Sequence, residues 1–160
     1  AIYGPRDTDV FEFFRLAARG LAARPAGERF ITVAHVADVV RAALAAAVAS
    51  DGERRFHVGE PGARTLEDLL AVVAASGGVS ARRLAIPRAV FMLAGAAGSA
   101  AQALGFRRVA LTRDKAREIT ASHWSLGTRS SLERLGLGTW VVFDEGAAAA
   151  WSWYRAMGWL

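Results

Sequence analysis

No cysteine occurs among the 160 residues, which excludes disulfides, thiolate metal sites and a cysteine nucleophile. Lysine is nearly absent: of 20 basic residues, all but Lys115 are arginine. No G-x-x-G-x-x-G turn follows a strand, and a glycine-rich turn at a helix N-terminus is what cradles the phosphates of a dinucleotide. Neither Tyr3 nor Tyr154 is followed by a lysine four positions on. His35, His57 and His123 lack metal-ligand spacing, and no metal site is expected. Ser99 lies in Gly98-Ser99-Ala100, outside the G-x-S-x-G setting of a nucleophile elbow. No basic start followed by an apolar core marks a secretory signal, which makes the cytoplasm the default setting. Taken alone, the chain contains no catalytic residues.

What is present suits one domain. Hydrophobic residues make up 53% and charged residues 22%, a globular balance with enough apolar material for a core. The net charge of +5 is spread in arginines that never run longer than two together. Phosphate tracking needs clustered cations, so no nucleic-acid partner is expected.

Along the chain, Ile2-Tyr3 reads as the end of a buried strand that breaks at Gly4-Pro5. Asp7, Thr8 and Asp9 all suit a helix N-cap, and Asp9 with Glu12 has capping-box spacing. Val10, Phe13, Phe14, Ala17 and Leu21 form one apolar helical face, stopped by Gly20, with a loop over Arg24–Gly27. Phe30–Val33 predicts a short strand, and Val36 to about Ser50 a helix with Asp38 in its first turn, where a carboxylate is favoured by exposed amides. Asp38 reads as a structural cap and His35 as a hydrogen-bonded anchor. Arg54–Val58 predicts a strand closed by Gly59-Glu60-Pro61-Gly62. Thr65 and Asp68 cap a helix whose stripe is Leu66, Leu69, Leu70, Val73 and Ala74. Arg82–Ile86 predicts a strand, with Pro87 opening a helix.

Ala89–Leu104 is apolar over 16 residues, short of the ~20 that span a bilayer. Arg82, Arg83 and Arg88 flank it on one side, and Arg107, Arg108 and Arg113 on the other. Burial between two lobes is the first reading; a helix lying in a membrane interface is the second, a possible peripheral contact. Thr112 caps a further helix. The tryptophans Trp124, Trp151, Trp153 and Trp159 predict a packing cluster.

Three stretches carry a resemblance. Tyr3-Gly4-Pro5-Arg6-Asp7 is similar to the family pattern Y-G-P-x-D; His35-Val36-Ala37-Asp38-Val39-Val40-Arg41-Ala42 to h-x-V-x-D-V-x-x-A; Glu145-Gly146 with Trp153-Tyr154-Arg155-Ala156-Met157-Gly158-Trp159-Leu160 to E-G…W-Y-R-x-x-G-W-L. Together they resemble the second half of an extended short-chain dehydrogenase/reductase, the superfamily of NAD-dependent epimerase/dehydratases and 3β-hydroxysteroid dehydrogenase-like proteins. The resemblance implies an α/β fold, the helix-rich C-terminal substrate-binding portion of a Rossmann-type enzyme lacking most of the dinucleotide-binding sheet. Residues 1–160 would then be one portion, with the last strands of that sheet near 1–5 and 54–58. It also implies an intact enzyme that uses NAD or NADP on a secondary alcohol, steroid-like or nucleotide-sugar. The partner is the missing N-terminal Rossmann half, so the chain alone is not expected to bind the cofactor; a non-catalytic partner- or membrane-binding module is the alternative. Tyr3 and Pro5 would face the cofactor; Ala1, Arg6, Phe13, Phe30, His35 and Arg82 would face the small-molecule substrate. Ala1 stands where the sugar-nucleotide branch often carries asparagine, which favours an apolar substrate. An isolated portion of such a sheet implies exposed apolar surface and self-association.

Overall fold

The computed structural model describes residues 1–49, 52, 55–106 and 111–160. The elements run β1 (Ile2–Tyr3), α1 (Phe11–Ala18), β2 (Leu21–Pro25), β3 (Phe30–Ile31), β4 (Ala34–His35), α2 (Val36–Val48) and β5 (Arg64–Thr65). They continue α3 (Leu66–Ser76), β6 (Arg82–Ile86), α4 (Arg88–Ala103), α5 (Arg113–Ile119), β7 (His123–Trp124), α6 (Arg129–Arg134) and α7 (Phe143–Ala156). The strands form three small sheets: β1 beside β4, β2 beside β6, and β5-β3-β7. The first two pairs are parallel; β3 runs antiparallel to β5 and parallel to β7. Helices dominate, as expected of a helix-rich α/β fold.

Local chemistry sets most boundaries. Thr65 and Thr112 cap α3 and α5, their hydroxyls accepting from the Asp68 and Lys115 amides. At α1 the expected Asp9–Glu12 box does not form. Asp7 takes the role, its carboxylate accepting from the Val10 and Phe11 amides at 2.7 and 3.2 Å. Asp9 turns away to Lys115, at 3.1 Å.

Three readings are corrected. Leu21 does not close the face of α1, and Arg24–Gly27 is not wholly loop. Gly20 takes a positive φ of 75°, ends the helix and turns the chain into β2, which pairs with β6 from Leu21–Arg82 to Pro25–Ile86. Of the strand expected over Phe30–Val33 only Phe30–Ile31 forms one, β3; the next strand, β4, begins after it at Ala34 and belongs to a different sheet. Of the strand expected over 54–58, Arg54 lies outside the described residues and 55–58 are not extended into a ladder. His57 is instead held by its amide, which donates to Ser131 Oγ at 2.9 Å.

The core gathers on α7. Gly146, Ala147, Ala150, Trp151 and Tyr154 form its buried stripe, facing Tyr3, Phe14, Leu69, Val73 and Ala74. Tyr154 meets Phe11 and Phe14 at ring separations of 4.7 and 5.2 Å, and Trp159 closes over both Tyr154 and Trp153. Trp124 stands apart on β7 and is exposed, so the tryptophans form a cluster without it. Within this chain α4 is largely exposed, and Arg107 and Arg108, expected to flank it, lie outside the described residues. Gly95 is its one buried residue, and Val90 and Leu93 face outward. Among the described residues no helix is long and apolar enough to cross a membrane.

Candidate functional site

The turn after β1 is built for close contact. Tyr3 is 1% exposed, its ring edge-on to His35 at 5.2 Å and to Phe143 at 4.9 Å. It fits because residue 146 has no side chain: a Cβ there would lie 2.1 Å from Tyr3 Oη. Gly4 then passes over His35, with space for no side chain; a Cβ would meet Val36 Cγ1 at 2.8 Å and His35 Nε2 at 3.1 Å. Arg6 follows with a φ of 69°, a left-handed conformation uncommon outside glycine. The Tyr154 hydroxyl donates across to the carbonyls of Gly4 at 2.8 Å and Asp7 at 3.3 Å, locking the turn onto α7. Burial, and then Asp7, push the Tyr154 hydroxyl up to about 12, so it stays a donor.

Beneath this turn lies a polar network. Asp38, 5% exposed, pairs with Arg41 on its own helix and accepts from the Val141 amide at 2.9 Å. The cap expected of Asp38 is therefore a tie between α2 and the segment leading into α7. Arg64 bridges Glu60 at 3.0 Å and Asp144 at 2.9 Å, and Glu60 also accepts from the Phe143 amide. Burial opposes the charge on Arg64, but the Glu60 and Asp144 carboxylates outweigh it and raise its pKa. Tyr3 Oη is buried and finds no hydrogen-bond partner among the described residues. Burial first, and then the charges of Glu60 and Asp38, push its pKa far above the ordinary phenol range.

His35 Nδ1 accepts from the Ala37 amide and caps α2, the anchor its position suggested. With Nδ1 accepting, a neutral ring carries its proton on Nε2, which is buried with no partner among the described residues. Burial lowers the His35 pKa, against the pull of Asp38.

A second feature was not visible in the sequence. A groove of about 450 Å³ opens between the end of β2 and the start of α3 and includes Arg24, Arg29, Thr65, Glu67 and Arg83 in its walls. Glu67 holds Arg24 and Arg83 together, each at 2.7 Å. Arg29 is 7% exposed, and its guanidinium donates to the carbonyls of Ala26 and Ala121. Burial, with the fields of Arg88 and Arg24, lowers its pKa. Glu67 carried a signal as a first-turn acid on α3; its two arginine partners come from other elements and carried none.

The residues singled out from sequence fall in several places. Tyr3 and Pro5 share the turn with Ala1 and Arg6 close by in sequence, and His35 reaches it through β4, whose Ala34 amide donates to the Ala1 carbonyl at 2.8 Å. Because the Tyr3 side chain is enclosed, any ligand contact there falls to its backbone and to Pro5. Phe13 is half-buried against Ala22, Leu66 and Leu70, and Phe30 stacks on His123 at 5.5 Å. Arg82 is exposed at the start of β6, opposite Leu21. None of these eight residues lines the groove.

No family model and no curated protein matches the sequence. Solved structures do match by fold. The UDP-glucose 4-epimerase of Thermotoga maritima, solved with UDP-glucose, matches with a TM-score of 0.68 at 21% identity, over 98% of this chain and 44% of its own. The UDP-glucuronic acid 4-epimerase of Bacillus cereus, solved with UDP-glucuronic acid and NAD, gives 0.65 at 12% identity, over 98% and 43%. TunA, an NAD-dependent NDP-hexosamine 5,6-dehydratase of tunicamycin biosynthesis, gives 0.64 at 16% identity, over 97% and 43%. The chain thus spans less than half the length of the structures it matches. Its fold is that of the C-terminal portion of an extended short-chain dehydrogenase/reductase.

Proposed function

We propose that this chain, with the fold of that C-terminal portion, is the substrate-binding half of an NAD(P)-dependent oxidoreductase or epimerase acting on a secondary alcohol. One observation carries the reading: almost the whole chain superposes on less than half of enzymes of this kind, while its own residues include no Tyr-x-x-x-Lys pair and no glycine loop. The described residues do not fit a whole dinucleotide. Among the described residues, the N-termini of α1, α2, α3 and α5 are capped by Asp7, His35, Thr65 and Thr112, and those of α4, α6 and α7, which no side chain caps, follow no G-x-x-G-x-x-G turn that could cradle a pyrophosphate. No step of hydride transfer is therefore assigned to this chain.

Its part is to bind and orient. The backbone at Tyr3 and Pro5 would meet the nicotinamide end of a cofactor held by the other half, and Ala1, Arg6, Phe13, Phe30, His35 and Arg82 would face the substrate side. The parallel pair β1–β4 supports this arrangement. Ile2 is 53% exposed on it, and Val40, Leu44 and Val48 form an exposed stripe at i, i+4 and i+8 on the adjoining α2. Such a surface suits the remainder of a parallel sheet, whose faces are normally covered. The substrate class is a nucleotide sugar or a steroid-like alcohol, and Ala1 favours the apolar choice.

The test is turnover. The chain joined to a cofactor-binding half should form NADH or NADPH, followed by absorbance, from one of a panel of nucleotide sugars and 3-hydroxysteroids, or should epimerise one of the sugars. The chain alone should do neither. Turnover by the chain alone, or none of either kind by the joined protein, overturns the proposal.

A further inference from the structure

The turn that carries Pro5 places arginine where glycine belongs. The Asp7 amide donates to the Gly4 carbonyl at 3.2 Å, closing Gly4-Pro5-Arg6-Asp7 into a β-turn. Pro5 holds its second position, where the ring presets the backbone, and Arg6 its third, with a φ of 69°. A turn with proline second and a positive φ third is of type II, and its third position is normally filled by glycine or asparagine. Among the described residues Arg6 is the one residue other than glycine with a positive φ.

The surrounding contacts hold the turn in this form. The Tyr154 hydroxyl donates to the carbonyls of Gly4 and Asp7 on either side of Arg6, and the Asp7 carboxylate accepts from the Val10 and Phe11 amides. Position 6 is therefore left-handed whatever residue occupies it, and glycine would occupy it without strain. Nothing among the described residues offsets the strain that arginine adds. Arg6 is exposed and makes no hydrogen bond or ion pair with any of them. The acids nearest to it in sequence are engaged elsewhere, Asp7 in the cap of α1 and Asp9 with Lys115 at 3.1 Å. A strained residue with an unused charge, next to Pro5, points to a ligand outside the chain.

We propose that Arg6 is a specificity-determining residue, whose guanidinium holds a phosphate or carboxylate group of the ligand bound between this chain and the cofactor-binding half. A guanidinium fork matches either group with two parallel hydrogen bonds, which lysine cannot reproduce. The bound anion supplies the interaction that the left-handed backbone lacks within the chain. The inference rests on the enzymatic reading above and adds to it the charge of the group that this turn receives.

Arg6→Gly and Arg6→Lys test it, in the 160-residue chain and in the same chain joined to a cofactor-binding half. In the chain alone, Arg6→Gly should raise the urea midpoint, because glycine relieves the turn, and Arg6→Lys should leave it unchanged. In the joined protein, Arg6→Gly should raise KM for one ligand by about tenfold or more with kcat held within about twofold, the signature of lost uniform binding. Arg6→Lys, which keeps the charge and loses the fork, should raise the same KM by less. The ligand whose KM moves carries the anion: NAD(H) or NADP(H) if it is the cofactor, UDP-glucose or UDP-glucuronic acid if it is the substrate. A joined protein that binds these ligands without turnover defeats the enzymatic reading alone, and calorimetric affinities then take the place of KM. Unchanged KM or affinity for every ligand in Arg6→Gly, equal losses in Arg6→Gly and Arg6→Lys, or a lower urea midpoint in Arg6→Gly overturns the proposal. Binding of none of the ligands by the joined protein overturns it as well.

Discussion

Replacing Tyr3 by phenylalanine should stabilise the chain. The Tyr3 ring is fully enclosed, and its hydroxyl is buried with no hydrogen-bond partner among the described residues. A buried hydroxyl without a partner costs about 1–3 kcal/mol, and phenylalanine fills the same space without it. The edge contacts with His35 and Phe143 are unchanged by the substitution. A gain of about 1 kcal/mol is therefore expected, which for a chain of this length raises Tm by about 2–4 °C. Urea denaturation followed by tryptophan fluorescence should show the midpoint rising at constant slope. A companion substitution locates the effect. Gly146→Ala would place a Cβ 2.1 Å from Tyr3 Oη but 2.9 Å from the nearest ring carbon. Alone it should destabilise by about 1–3 kcal/mol, overpacking outweighing the better helix propensity of alanine. In the Tyr3→Phe background that cost should fall by at least about 0.5 kcal/mol, because the closest contact has gone. A Tyr3→Phe variant less stable than the native chain, or additivity of the pair, would refute the reasoning.

Three further outcomes follow from the same geometry. Asp38→Ala leaves the Val141 amide without its acceptor and Arg41 without its partner, and should lower stability by about 2 kcal/mol in urea; a change below about 0.5 would mean that the tie contributes nothing. His35 has a folded pKa below its ordinary value, so the unfolded chain binds the extra proton and stability falls as pH drops below about 6.5, levelling beneath the folded pKa. Asn at position 35 keeps a capping acceptor for Ala37 and should remove that part of the pH dependence; an unaltered pH profile contradicts this. The exposed Val40, Leu44 and Val48 stripe should drive self-association at high concentration, relieved by Leu44→Glu; light scattering that shows a native monomer throughout contradicts it.

What the sequence revealed and what it hid divide by range. Thr65 and Thr112 were legible as caps because the acceptor and its amide are three residues apart. The stripe of α3 was legible because one helical period defines it. β2 was hidden because Leu21 continues the apolar spacing of α1, and its true partner, β6, lies far along the chain. Pairing of that kind leaves no local pattern. Asp38 was read as a cap from its place in a first turn, but its bond to Val141 spans 103 residues. The three-residue spacing of Asp9 and Glu12 suggested a box, yet Asp7 won because the turn held by Tyr154 aims its carboxylate at the Val10 and Phe11 amides. The turn at Tyr3–Pro5 was found through resemblance. That the Tyr3 side chain points inward depends on Gly146, in a helix at the other end of the chain. The Arg24–Glu67–Arg83 bridge stayed hidden for the same reason, since three separate elements supply it.

On the proposed reading this chain supplies a substrate wall and only the Tyr3–Pro5 edge of the cofactor site, too little to bind the cofactor alone. Calorimetric titration of NAD(H) and NADP(H) tests it most directly, with the 160-residue chain and with the same chain joined to a cofactor-binding half. Binding by the joined protein and none by the chain alone is the predicted result. Saturable binding by the chain alone would contradict the account.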